Sequence, residues 1–186
     1  MKQETINKRL DTLLKVKCVG CARCCKETIV PITHRDLKRI MKRTEQTADN
    51  VVRFATPSEI NFEKDSEYWI RTNKGKRAMV LRKKSGQCQY LDNAGRCTIY
   101  TDRPITCRTF PIILHLDEEQ NIIDLSLNRI VKDRYPSGTK RPLKNILEDS
   151  KVEHREDFQY HDIVKTWNET NSQKSSEAFL KFVQKF

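Results

Sequence analysis

Four apolar residues recur at helical spacing near the start of the chain: Ile6, Leu10, Leu13 and Leu14. This periodicity predicts an amphipathic helix over residues 3–16. Thr33 followed by Asp36 is typical of a capping box, and it predicts that a second helix begins there. The segment Thr56–Glu59 combines an N-cap residue, a proline and an acid, and therefore predicts a third, short helix.

Between residues 29 and 127 much of the chain consists of short apolar or alternating runs that are bounded by turn residues. These runs predict strands at 29–32, 68–72, 78–81, 88–91, 97–100, 112–116 and 122–127. Turn signals stand between them at Asn73–Lys76, Ser85-Gly86 and Asp92–Gly95. Arg103-Pro104 predicts the start of a short helix that carries Cys107.

From Pro142 onwards the pattern is mostly helical and ends in closely spaced apolar residues between Phe179 and Phe186. Together the elements predict an α+β fold, with a small antiparallel sheet and hairpins and with helices at both ends. We expect residues 1–141 to form a cysteine-cluster domain with an N-terminal helix. Residues 142–186 are then a C-terminal helical extension that packs on it.

The composition indicates a globular protein outside the membrane. The chain has 186 residues, of which 37% are hydrophobic and 33% charged, and its mean hydropathy is −0.74. Its longest uncharged apolar stretch, Phe110–Leu116, is too short to span a bilayer. Residues 1–8 are charged and lack the apolar segment of a secretory signal, so we expect a cytoplasmic location and no membrane partner.

The net charge of +11 is unevenly distributed, because residues 145–186 carry eight acids and six bases. The densest basic run, Arg71–Lys84, holds seven cations and no acid. Such a run can attract phosphates or an acidic protein, or it can be the solvated face of a hairpin. A nucleic-acid partner rests on this charge alone, since none of the common nucleic-acid-binding motifs accompanies it.

Seven cysteines carry the clearest chemical signal: Cys18, Cys21, Cys24, Cys25, Cys88, Cys97 and Cys107. An odd number of cysteines cannot pair entirely within one chain, and nothing indicates an oxidising compartment. Most of them stand beside glycine or charged residues in predicted turns rather than among apolar neighbours. A soft metal cation is the best explanation for several adjacent thiolates, so all seven are candidate metal ligands.

The spacing of the first four cysteines limits how they can share an ion. Cys18, Cys21 and Cys24 repeat the Cys-x2-Cys spacing that lets neighbouring thiolates reach one metal, as in zinc ribbons and iron–sulfur loops. Side chains of adjacent residues diverge, so Cys24 and Cys25 are not expected to bind the same ion comfortably. One of the two is then free to serve a second ion, bridge two ions or remain a reactive thiol.

Two arginines flank Cys107 in the sequence, Arg103 and Arg108. A cation beside a thiolate lowers the pKa of the thiol and offsets the negative charge of a metal site. The alternative is that these arginines pair with carboxylates such as Asp102 and brace the loop.

The sequence leaves the identity of the metal open between iron–sulfur and zinc. None of the four histidines has the spacing of a zinc ligand relative to the cysteines. Seven thiolates exceed the need of one zinc ion, and they fit one [4Fe–4S] cluster with spare thiols or two metal centres. The count therefore favours an iron–sulfur cluster.

These residues resemble the YkgJ-type cysteine-cluster family, which is described as a zinc- or iron-chelating CxxCxxCC domain. The resemblance rests on three motifs: the cysteine run 18–25, the segment 88–100 with Cys88 and Cys97, and the segment 103–111 around Cys107. It covers residues 16–115 and implies metal chelation; a related module occurs in flagellin lysine N-methylases. One departure is Ala22, at a position where glycine is expected.

Three classes of function follow from the sequence. In the first, the metal stabilises a small non-catalytic domain, and this domain binds another protein through its surface. In the second, the site supports redox chemistry or protein modification as an accessory enzyme, although no Gly-x-Gly-x-x-Gly cofactor loop is present. The third is a zinc protein that associates with nucleic acid.

Overall fold

The computed structural model describes residues 8–10, 22–60, 62–117, 119, 121–128 and 143–186. Its helices are α1 (Arg23–Glu27), α2 (His34–Thr44), α3 (Ala48–Val51), α4 (Ile105–Thr109), α5 (Leu143–Thr170) and α6 (Ser176–Val183). Its strands are β1 (Val52–Ala55), β2 (Ile70–Thr72), β3 (Gly75–Leu81), β4 (Lys83–Lys84), β5 (Gln87–Cys88), β6 (Ile112–Leu116) and β7 (Ile122–Leu127). The fold is α+β, as predicted, with helices near both ends.

Strand β3 organises the main sheet, which has the order β1-β3-β2 and is antiparallel throughout. The predicted strand 29–32 contributes only an isolated bridge, from Pro31 to Val80, together with backbone hydrogen bonds to Met79 and Leu81. Proline has no amide hydrogen for a ladder, which limits the pairing of this segment. The segment therefore continues the β2 edge of the sheet and leads the chain from α1 into α2.

The C-terminal helices cover the main sheet and complete the core. Buried residues from both ends of the chain meet there, among them Ile40, Val51, Met79, Trp167 and Phe179. Helix α5 also covers the outer edge of β2, because the Asn168 side chain bonds the backbone of Trp69 and Arg71. Side chains thus occupy backbone groups that an exposed edge strand would leave open.

The helix start at Thr33 is confirmed as a capping box. The Thr33 hydroxyl accepts the Asp36 amide, and the Asp36 carboxylate accepts the Thr33 amide. The short helix predicted at Thr56–Glu59 is wrong, because these residues form a turn. The Glu59 side chain does bond the Thr56 amide, but Ile60 then packs against the cluster around Trp69, so the chain leaves the turn without forming a helix.

A second, smaller unit is the hairpin of β6 and β7, whose predicted bounds are confirmed. One face of the hairpin packs on Leu10 and Ile146. Of the helix predicted over residues 3–16, only 8–10 are described, and these three residues are helical. Within the described ranges, no helix is both long enough and apolar enough to cross a bilayer.

The packing of α6 on the sheet yields a stability prediction. Phe179 is fully buried between Phe54 and Trp167, so Phe179→Ala should lower the free energy of unfolding by about 3–5 kcal/mol in urea denaturation. Phe186 is the matched control, since it is 46% exposed and its replacement by alanine should cost well under half as much. Equal losses for the two variants would contradict the described core.

Candidate metal centre

Five of the seven cysteines lie in the described part of the chain, and all five are free, partly buried thiols. Cys24 and Cys25 lie on α1, Cys88 ends β5, Cys97 pairs with Leu91 in an isolated bridge, and Cys107 lies in the middle of α4. Cys18 and Cys21 lie outside the described residues. The described candidates thus come from four short elements, of which α1 is distant in sequence from the other three.

Helix α1, which carries Cys24 and Cys25, begins after a residue in the left-handed conformation. Ala22 has a φ of 57° and a ψ of 11°, in the left-handed region. Its carbonyl accepts the amides of Cys25 and Lys26, which starts the helix. The expectation of glycine at this position has a physical basis, because glycine enters the left-handed region without the steric cost that alanine bears.

The β4–β5 hairpin brings Cys88 next to α1. Ser85 and Gly86 both have positive φ and form its turn, so that Cys88 pairs with Lys83. The Lys83 ammonium then donates to the Lys26 carbonyl at 2.9 Å. This bond ties the hairpin to the helix that carries Cys24 and Cys25.

Cys97 is placed by a loop rather than by the strand pair that the sequence predicts. The predicted strands 88–91 and 97–100 reduce to the end of β5 and one bridge between Leu91 and Cys97. The Asp92 carboxylate accepts the amides of Ala94 and Arg96 and so closes the loop on itself. Two backbone bonds accompany the bridge, from the Asp92 amide to the Arg96 carbonyl and from the Thr98 amide to the Tyr90 carbonyl, and the pairing extends no further.

The two arginines around Cys107 have different contacts. Arg108 forms an ion pair with Asp149 of α5 at 2.6 Å, whereas Asp102, proposed from sequence as a partner, pairs with Arg43. Arg103 donates to the Cys107 carbonyl at 3.3 Å, and its positive charge acts to lower the pKa of Cys97. Arg108 therefore braces the loop, and Arg103 both braces it and acts electrostatically on a thiol.

The described thiols form one electrostatic cluster. The sulfurs of Cys24 and Cys25 are 3.8 Å apart, and this hydrogen bond together with burial raises the pKa of Cys24. The same bond lowers the pKa of Cys25, but the Cys88 thiol and burial outweigh it and raise that pKa to about 11. Burial raises the pKa of Cys97, and burial together with the charges of neighbouring thiols raises that of Cys107.

Cys88 differs from the other four thiols. Its interaction with the Cys25 thiol lowers the pKa of Cys88 despite burial. Without a cation, ionisation of one thiol thus opposes ionisation of its neighbours, and of the five described thiols Cys88 is the one that ionises first.

The described residues do not by themselves form a finished coordination shell. Within that part of the chain, no three histidine, cysteine or acidic side chains stand in an arrangement that could hold a metal ion. Two of the histidines have partners other than thiols: His161 pairs with Glu67, and His34 stacks on Tyr160. The described thiols are thus brought near one another without forming a complete set of ligands.

Three polar contacts that position the cysteines are not evident from the sequence. They are Lys83 with the Lys26 carbonyl, Arg108 with Asp149, and the Asp36 carboxylate with the Ile105 amide. Each joins residues at least 41 positions apart. Of the six residues, only Asp36 has a recognisable local signal, as the third residue of the α2 capping box.

The basic run Arg71–Lys84 is not one surface. Arg82 bonds the Asp49 carbonyl and Lys83 lies at the cysteine site, whereas Arg71 and Lys76 line a separate cavity of about 680 Å³. As many carboxylates as lysines and arginines line that cavity, so its charge is balanced.

Comparison with protein families places the cysteine segments in a known group. A family model named CxxCxxCC, with the description "Putative zinc- or iron-chelating domain", matches residues 17–126. The matched range contains all seven cysteines and ends before α5. No curated protein and no solved structure gives a significant match.

The unequal pKa values predict the order of thiol reactivity in the reduced, metal-free protein. Because the thiolate is the nucleophile, Cys88 should react with iodoacetamide at pH 8 faster than Cys24, Cys25, Cys97 or Cys107. Timed alkylation followed by peptide mass spectrometry measures the five rates. Faster labelling of Cys24 or Cys107 than of Cys88 would contradict the described arrangement.

Proposed function

Because the chain belongs to the CxxCxxCC family of zinc- or iron-chelating domains, we propose that it binds zinc or iron through thiolates from its three cysteine segments. The observation that supports this proposal is the placement of thiols from α1, β5 and α4 near one another, with each close enough to affect the pKa of another. Neighbouring thiols that resist ionisation become favourable ligands when a soft cation balances their charges.

The donor set fits both metals that the family description names. An all-sulfur site suits a four-thiolate zinc ion or an iron–sulfur cluster. Seven cysteines exceed the requirement of one zinc ion, so we favour a [4Fe–4S] cluster and keep zinc as the alternative. Either form leaves a net negative charge on the ligands, and Arg103, whose positive charge acts on the Cys97 thiol, is placed to reduce it.

The identity of the metal determines which function we propose for the site. With zinc, the protein is a stapled module that binds another protein, and Lys26 and Lys84 offer exposed positive charge beside the cysteines. The zinc form could also bind nucleic acid. This alternative has less support, because the basic run Arg71–Lys84 is divided between different surfaces. With an iron–sulfur cluster, the partly exposed site suits a redox or protein-modification accessory role.

Anaerobic purification with analysis of iron, zinc and acid-labile sulfide tests the proposal. We expect about four iron and four sulfide per chain and a brown protein that bleaches on reduction. A colourless protein with zinc and no sulfide would support the alternative. Protein that retains neither metal, and takes up neither when reconstituted under reducing conditions, would contradict the proposed function.

If the metal joins the cysteine segments, it must also stabilise the fold. Cys107→Ser should lower the free energy of unfolding of the metallated protein by more than about 2 kcal/mol, measured by anaerobic denaturation. Thr106→Ser, in the same helix, is the control and should have a much smaller effect. Chelation should destabilise the wild type and leave Cys107→Ser nearly unchanged; equal melting of metallated and metal-free wild type would contradict a structural role.

A further inference from the structure

Helix α4, which carries Cys107, has no side-chain cap of its own. It is only five residues long, and the residue before it, Pro104, makes no side-chain capping bond. A helix of this length is marginal without outside support, because its first amides lack partners within the helix. The first amide of α4, that of Ile105, instead donates to the Asp36 carboxylate at 2.9 Å.

Asp36 is therefore shared between two helices. One carboxylate oxygen accepts the Thr33 amide and caps α2, and the other accepts the Ile105 amide and caps α4. The side chain is completely buried, and Arg39 bonds it from within α2. The Arg39 guanidinium also pairs with Glu156 of α5 at 3.4 Å, so Arg39 lies between two carboxylates.

The two ends of α4 are held by different contacts. At its C-terminal end, Arg108 pairs with Asp149, and the Thr109 hydroxyl donates to Glu153 at 3.3 Å. At its N-terminal end, the Ile105 amide donates to Asp36, and the Thr106 side chain interacts with Glu153. Burial raises the pKa of Cys107, and the negative charges of neighbouring groups, Asp36 among them, act in the same direction.

We propose that Asp36 is a positioning residue of the metal site: by capping α4 it fixes Cys107 in the orientation that metal binding requires. The proposal rests on the proposed function, since it assigns a role toward the metal that this site would hold. Loss of Asp36 frees only the first turn of α4, because the contacts to α5 remain. The expected result is weaker metal binding with fewer thiolate bonds, rather than a complete loss of the site.

Cobalt(II) binding to the reduced, metal-free full-length protein tests this role. Sulfur-to-cobalt charge-transfer absorption increases with the number of bound thiolates, and competition with a chelator gives the affinity. Asp36→Asn should bind cobalt about 10–100-fold more weakly than the wild type, with a lower absorption per bound cobalt. Thr33→Ala is the control, because it removes the other half of the α2 capping box and keeps the bond from Ile105.

A purely structural role predicts that Asp36→Asn and Thr33→Ala lower stability but leave the absorption per cobalt unchanged. Because an asparagine oxygen can still accept the Ile105 amide, unchanged affinity and absorption in Asp36→Asn together with equal binding by the two Ile105 variants described below would overturn the role of Asp36 while leaving the metal site intact. Absence of the charge-transfer band in the wild type would instead contradict the proposed function, and the role of Asp36 with it.

A second pair of variants covers the case in which Asp36→Asn does not fold. Ile105→Pro removes the amide hydrogen that Asp36 accepts, at the first helical position, where proline is tolerated. Ile105→Ala controls for the lost packing of a fully buried side chain. Ile105→Pro should bind cobalt more weakly than Ile105→Ala, and equal binding would overturn the proposal.

Discussion

Neighbouring thiols cannot all ionise unless a positive charge lies among them, and this electrostatic constraint governs the cysteine-bearing part of the molecule. Cys24, Cys25 and Cys107 have raised pKa values because each is buried beside other sulfurs. The elements that carry the cysteines are a five-residue helix, a two-residue strand, an isolated bridge and a second five-residue helix. Such elements are weak alone, so a cation that converts repulsion into attraction would also hold them together.

The apolar core and helix α5 hold the elements that carry the cysteines in place. Strand β3 and helices α5 and α6 contribute to an apolar core, against which Cys88 and Cys97 pack. Polar contacts also fix the cysteine segments to the core and to one another. Lys83 joins the hairpin to α1, and Asp149 and Glu153 of α5 hold α4. Helix α5 lies beyond the range that the family model matches. The division into residues 1–141 and 142–186 remains a prediction, but α5 contributes directly to the placement of Cys107.

Elements with strong local signals could be predicted from the sequence. The capping box at Thr33, the helix around Cys107 and the hairpin of β6 and β7 follow from residues close together in the chain. The strands expected at 88–91 and 97–100 were wrong in extent, because turns at 89–90 and 98–102 limit the pairing to one bridge and two backbone bonds. All seven candidate ligands could be named from their spacing, but contacts such as Asp36 with Ile105 depend on the tertiary fold, which no local pattern encodes.

X-ray absorption spectroscopy at the edge of the bound metal tests most directly whether thiolates of separate segments hold one centre. The account predicts a first shell of about four sulfur atoms at about 2.3 Å, with an additional iron–iron distance if the metal is a cluster. Removal of Cys88 or Cys107 should reduce the number of sulfur ligands. A first shell dominated by nitrogen or oxygen, or a sulfur shell unaffected by loss of both Cys88 and Cys107, would contradict it.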